Sequence, residues 1–482
     1  MNILGLARRD PAEPRQSRRD RREESRDRWP ASLWRDTNRR FWFQSPVTDI
    51  DTDVLVVGAG FSGLWTAVLL KEHDPSLRVV VVDAQQPGFG ASGRNGGWCS
   101  ALVPVDHETV AAVAGRDAAI ELQRQMFGTV DRIGEFVREN GIRCDWHKGG
   151  SLTVATNPAH AERLRQQVEK SRSYGFGPGD LDWIDEPELS RRVRVTGAIG
   201  ATFTPHCAAL NPYGLLDGLV QKALDMGVRV HGSTRVTSIG RDHVEARGEN
   251  GLVFITARNT VVATEAYGAR RKDSRRALVP LYSYVIATEP LADDLWAQMG
   301  WDGRETLSDG RNMVTYAQRT GDGRIVFGGR GAPYKFGSDI HSGHDTSRRV
   351  HDTIVSTLHE LFPATVDVRV THRWGGPLGV PRDWHPSVRT DPRTGAIHMG
   401  GYVGDGVALS HLAARIVVAR ITGNDDEILS LPLNDHRSRK WEPEPIRWTG
   451  INAGLLATRL ADAFEKRTGR QSRVLNAFLR LF

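Results

Sequence analysis

An α/β fold is predicted for this chain on three observations. A β-branched apolar run, Val54 to Val57, leads into a turn where Gly58, Gly60 and Gly63 keep G-x-G-x-x-G spacing, and an apolar helix follows. A second apolar strand, Arg78 to Val82, ends in Asp83, twenty residues past Gly63. Residues 278–330 instead form a β-rich block that opens on L-V-P-L-Y-S-Y-V-I-A-T-E-P-L, with alternating apolar and aromatic positions. The expected architecture is a Rossmann-like dinucleotide-binding domain with a second, sheet-based part.

Each piece of the first unit has a physical job. Gly58 allows the tight turn, Gly60 lets the backbone approach a pyrophosphate, and Gly63 lets the helix pack on the strand. Phe61 and Ser62 open that helix, whose free N–H groups favour negative charge. Asp83, followed by Ala84, stands where a carboxylate accepts hydrogen bonds from a ribose diol. On this stretch alone NAD and FAD are equally admissible.

At 482 residues the chain is long enough for two or three domains. Hydrophobic content of 39% and charged content of 25% suit a globular protein. No apolar run reaches the roughly 18 residues of a transmembrane helix, and no secretory signal is visible at the N-terminus. Cys99, Cys144 and Cys207 are too scattered for a disulfide framework or a metal site, which points to a reducing cytoplasm. Of the +6 net charge, residues 1–47 carry +5, with 12 Lys+Arg against 7 Asp+Glu. The remainder is close to neutral, so no nucleic-acid partner is expected.

In chain order, residues 1–47 form a charged arm, largely disordered. Its end is rich in aromatics (Trp29, Trp34, Phe41, Trp42, Phe43) that either dock on the body or border a substrate entrance. Residues 107–141 and 159–174 have helical periodicity, with a short strand from Ser151 to Ala155 between them. Residues 206–239 read as turn, helix and strand, and 259–264 as a strand. Met399 ends another strand, Gly400 to Gly406 make a turn, and a helix runs on from Val407. The tail reads as two amphipathic helices with basic faces, which either dock on the body or meet a membrane surface or partner.

The string G-A-S-G-R-N-G-G at 90–97, after an acid-ended second strand, makes the resemblance specific. It is similar to the second flavin-contacting loop of the glycine/D-amino-acid oxidase (DAO) family of FAD enzymes, in its γ-glutamylputrescine oxidoreductase-like branch. The likeness runs in order from 48 to 448, through L-N-P at 210–212, G-Y-V-G-D-G at 401–406 and W-E-P-E-P-I-R-W at 441–448. It implies a glutathione-reductase-type FAD domain from residues 48–110, 196–275 and 373–425. A substrate domain on an antiparallel sheet would take 111–195 and 276–372, with a helical extension at 426–482.

By the same resemblance, FAD contacts fall at Gly90, Ala91, Ser92, Arg94, Asn95, Gly96 and Gly97, at Val236 for adenine, and at Ala263 and Thr264. The pyrimidine end of the flavin falls to Gly401, Tyr402, Val403, Gly404, Asp405, Gly406 and Val407, where the helix dipole stabilises negative charge. The family often has G-Y-S-G-H-G there. Asp405 in place of histidine disfavours a reduced flavin unless the carboxylate points away or is protonated.

The implied reaction is oxidation of the C–N bond of an amine or amino acid, by hydride transfer to flavin N5 and then imine hydrolysis. Oxygen or another acceptor reoxidises the flavin. Tyr282, Tyr284, Tyr316, Arg319 and Arg330 are candidates for the substrate pocket, the two arginines through bidentate pairing with a carboxylate or, equally, as surface ion pairs. His206, His385 and His411 are available as bases, although a lone histidine is commonly structural. Cys99 is the one candidate for covalent attachment, and non-covalent binding is expected. No metal site is expected. The substrate is a γ-glutamyl-polyamine or similar amine, or else glycine, sarcosine or a D-amino acid. A flavin- or nucleotide-binding protein with a mainly partner- or membrane-binding role is the other class.

Overall fold

The computed structural model describes residues 32–38, 41–271, 274–329, 331, 333–423, 427–472 and 475. The charged part of the N-terminal arm, Arg330 and nearly all of the second tail helix lie outside the described residues.

Two eight-stranded sheets carry the fold. The first runs Ser387–Thr390, Ile397–Gly400, Gly251–Val262, Ile50–Val57, Val79–Val82, Arg229–His231, with Arg235–Ile239 and Val244–Gly248 folded off its long strand. Ile50–Val57 is parallel to both neighbours, with Val54 opposite Val79 and Val57 opposite Val262. Val79–Val82 is four valines, all buried, as a strand covered on both faces must be. The helix Phe61–His73 covers this sheet and packs on the helix Gly406–Thr422. Both are apolar nearly all round, so each is buried between the sheet and further helices.

The second sheet runs Val370–Val380, Val279–Thr288, Ile325–Gly329, Thr315–Arg319, Thr306–Asp309, Ser151–Ala155, Gly200–Thr204, Asp182–Asp185. Its pairs are antiparallel except Thr306–Asp309 with Ser151–Ala155. Gly200–Thr204 and Val370–Val380 belong here, so this sheet gathers residues that the sequence boundaries assign to the FAD part. The reason is pairing: Leu152 faces Phe203, and Tyr282 faces Pro377. The helical stretch at 107–141 is two helices, His107–Ala114 and Arg116–Glu139, broken at Gly115, where φ is 91°.

The aromatic segment docks on the body. Ser32 Oγ donates to Gly93 O at 3.1 Å and Trp34 Nε1 to Asn95 O at 2.8 Å. The Phe43 backbone exchanges two hydrogen bonds with the Gln86 amide. The segment therefore braces the 90–97 loop from outside.

The first tail helix, Ile446–Thr468, docks on the second sheet through its polar side. Asp462 accepts from the Asn312 and Met313 amides, and the buried Glu465 accepts from Arg163 Nη2 at 2.5 Å and Asn312 Nδ2 at 3.1 Å. Leu456, Leu460 and Phe464 on the same helix stay exposed. Replacing Glu465 with Ala strands a partly buried guanidinium and should cost about 2 kcal/mol. Chemical denaturation of the variant measures this, and an unchanged midpoint would refute the docking.

Candidate functional site

A cavity of about 720 Å³ opens at the carboxyl ends of the parallel strands, where ligands bind in open α/β sheets. The turn after Ile50–Val57 forms one wall. Gly58 has φ 114°, and a Cβ on Gly63 would lie 1.9 Å from Gly58 O, so the helix Phe61–His73 can start only from this turn. Phe61 N–H donates to Ser92 Oγ at 2.9 Å, and the rest of the helix start borders the cavity, which Gly60, Phe61 and Ser62 line.

Asp83 also lines the cavity. It accepts from the Ala59 and Gln85 amides at 2.8 Å each, while burial pushes its carboxyl up from the ordinary value. Each oxygen keeps a lone pair for a hydroxyl donor. Ala84, Gly90, Ala91, Ser92, Asn95, Val236, Ala263, Thr264, Tyr402, Gly404, Gly406 and Val407 line the same space.

Other expected contacts lie behind that lining. Gly96 and Gly97 pack on the second sheet, where a Cβ would come within 2.5 Å of Tyr316 and 2.0 Å of Gln318. Gln318 Nε2 donates to the carbonyls of Gly96, Gly97 and Leu210. These glycines admit a neighbouring sheet rather than a ligand. Gly63 packs on the turn, Gly401 lines a second, smaller cavity, and Val403 is buried behind the loop with φ 55°. Asp405 precedes the helix Gly406–Thr422 and is not part of the lining, although Gly404 and Gly406 on either side are. Burial pushes the Cys207 thiol up to about 12, with a smaller push from the Asp405 charge.

Arg94 turns away from the large cavity into a buried knot. Its Nη1 is 3.1 Å from Asp345 Oδ2 and donates to Gly375 O, and Nη2 donates to the Tyr267 hydroxyl. Burial raises Asp345 to about 6 against the opposing pull of Arg94. Trp374 Nε1 closes the knot by donating to Arg94 O at 2.9 Å.

The catalytic candidates do not converge. Tyr282 and Tyr284 are buried in the second sheet near His344, with the Tyr284 hydroxyl donating to His344 O, and neither lines the cavity. Burial raises both phenols. Arg319 is excluded by strand alternation: Tyr316 and Gln318 face the 90–97 loop, so Arg319 faces away. It pairs with Asp302 at 3.0 Å and lies over Trp296. Arg330 lies outside the described residues. None of the three candidate histidines lines the cavity. His206 stacks on Phe127 beside Asp180, His385 stacks on His436, and His411 packs on Trp65, with burial pushing His411 down to about 3. Cys99 is buried off the cavity, and its thiol is raised by burial.

Sequence reasoning missed Glu265, Tyr267, Pro377 and Leu378, all of which line the cavity. The signal for the first two was position, directly after the strand that ends V-V-A-T. Glu265 has φ 45°, and its Oε1 accepts from the Gly401 and Tyr402 amides at 3.2 and 3.0 Å. Its Oε2 is buried without a partner, and burial pushes the carboxyl up to about 7. A raised folded value gives stability below the unfolded value of 4.5 that is lost as pH rises through 7. Glu265→Gln should therefore match the parent in thermal unfolding at pH 4.5 and exceed it by about 1–3 kcal/mol at pH 8. Equal stability at both pH values would refute this.

A cavity at the strand ends, opening from a glycine turn and walled by a second sheet, suits a dinucleotide cofactor. The family pattern of DAO, the FAD dependent oxidoreductases, matches residues 53–420, and the chain belongs to that family. It is 31% identical over 378 residues to "Gamma-glutamylputrescine oxidoreductase" of Escherichia coli, covering 78% of this chain and 84% of that protein. It is 30% identical over 405 residues to "Probable oxidoreductase OrdL" of Haemophilus influenzae, covering 82% and 88%. Among solved structures, glycine oxidase from Geobacillus kaustophilus superposes with a TM-score of 0.67 at 19% identity, over 81% of this chain and all of that one. Among the described residues, no helix is long and apolar enough to cross a membrane.

Proposed function

We propose that this protein oxidises the C–N bond of an amine, with a γ-glutamyl-amine or similar primary amine as substrate and FAD held non-covalently. One observation carries the reading. The large cavity runs from the Gly58–Gly63 turn to Tyr267, Pro377 and Leu378, where the second sheet begins. The lining fits FAD: an anion-binding helix start, an acid at Asp83 for a ribose, and a second glycine loop and helix start at Gly404–Gly406. When bound, the flavin would supply the electron chemistry, as the hydride acceptor for oxidation of the carbon beside the nitrogen.

The chain's own part is to bind and orient. Asp83 would hold the adenosine ribose and Val236 would contact adenine. The helix start at Phe61 would serve the pyrophosphate, and the helix start at Gly406 would favour negative charge at the pyrimidine end. Placing Asp405 off the lining removes the carboxylate that would oppose that charge. Arg94 fixes the 90–97 loop against the second sheet through Gly375 and Asp345. The phenol of Tyr267, raised by burial, stays protonated at neutral pH and keeps a donor at the cavity wall. No histidine reaches the cavity as a base, so the amine enters neutral. Cys99 lies off the lining, which supports non-covalent attachment.

An anaerobic titration of the purified protein tests the reading. The oxidised-flavin absorbance should bleach with γ-glutamylputrescine or a related primary amine, and more weakly with glycine, sarcosine or D-amino acids. Denaturation should release the flavin into the supernatant. No bleaching by any amine would defeat the proposal, and flavin retained on the denatured chain would defeat its non-covalent part.

A further inference from the structure

Beside the large cavity lies a second one of about 250 Å³, too small for a dinucleotide. We propose that it is a binding site for a compact multivalent anion, a phosphate or a small polycarboxylate, gripped by Arg271, Arg389, Arg437 and Lys440.

The charge balance points there. Those four cations line the cavity against a single acid, Glu265. Among the described residues, Arg389, Arg437 and Lys440 form no ion pair. The nearby acids are already committed: Asp391 to Arg393, Glu442 to Arg382, Asp435 to Arg420, and Asp383 to His436 at 2.8 Å. Glu265 spends one oxygen on the Gly401 and Tyr402 amides, and burial brings its titration to about 7, so it offsets less than a full charge. The hydroxyls of Ser387 and Thr390 add donors to the same wall.

The walls are also fixed. Arg389 sits on Ser387–Thr390, paired antiparallel with Ile397–Gly400. The segment bearing Arg437 and Lys440 is pinned by His436 to Asp383 and by Trp441, whose amide donates to Arg276 O and whose Nε1 donates to Val380 O. Guanidinium groups lining one cavity on pinned backbone suit planar or tetrahedral oxyanions. Thr264, Glu265 and Arg271 line both cavities, so an anion here perturbs the flavin site across one layer of side chains.

The test is titration of the flavin-loaded protein with inorganic phosphate and, separately, citrate, at constant ionic strength set with sodium chloride. It is read by flavin difference absorbance and by calorimetry, so it needs no turnover. Saturable binding is expected, and the tighter of the two anions identifies the source. The double variant Arg389→Gln/Arg437→Gln should weaken it roughly tenfold or more. The fully surface pair Arg437→Gln/Lys440→Gln should do the same with an unchanged unfolding midpoint, which guards against misfolding. Arg348→Gln, a solvent-exposed arginine elsewhere, should leave binding unchanged. A linear response equal to that of chloride, or parental affinity retained in both double variants, overturns the proposal.

Discussion

Gly63→Val is expected to yield protein that purifies without flavin. The new Cβ alone would sit 1.9 Å from Gly58 O and 3.0 Å from Val56 Cγ1. The first of these is backbone in a tight turn, so no rotamer relieves it. Either the helix Phe61–His73 shifts away from the strand or the turn opens, and both displace the helix start that borders the cavity. Overpacking of this kind costs about 3 kcal/mol or more, which is ~100-fold in flavin affinity. The flavin-to-protein absorbance ratio measures it, with circular dichroism to show that the rest still folds. Full flavin loading in the variant would mean that the turn is not the anchor.

The second large effect belongs to Arg94→Met. Arg94 is among the most deeply buried charges, and its side chain joins three elements: the 90–97 loop, Tyr267 after the first sheet, and Gly375 in the second. Removing the guanidinium leaves Asp345 buried and unpaired, at a cost of about 3–5 kcal/mol. Asp345 escapes part of that cost by staying protonated, since it already titrates at about 6. The variant should therefore lose more stability at pH 8 than at pH 5, and kcat/KM for the amine should fall by about two orders of magnitude as the loop loses its tie. Lysine should not rescue it, because one ammonium cannot replace a fork that serves Asp345, Gly375 and Tyr267 together. A variant with parental kcat/KM would show that the knot is only structural.

Much of this was legible in the sequence. The Gly58–Gly63 turn, the four-valine strand and Asp83 depend on local rules of glycine conformation and strand burial, and they fall where the spacing puts them. The 90–97 and 401–406 glycine stretches were legible as loops, but the role of each residue was not. Spacing cannot tell a glycine that admits a ligand from one that admits a neighbouring sheet, as Gly96 and Gly97 do. The aromatics at 34–43 were visible as a cluster, but their bond to Asn95 joins positions 61 residues apart.

The sequence by itself determined the dinucleotide unit, the family and the cofactor, because those rest on short contiguous patterns that dictate their own backbone. Only the tertiary structure decided the direction of each charge. Strand alternation turned Arg319 outward, the meeting of three segments turned Arg94 inward, and the carboxyl-end position after a long strand made Glu265 a shared wall of two cavities. A side chain's titration and its partners depend on what distant segments bring within a few ångströms, and no local pattern encodes that.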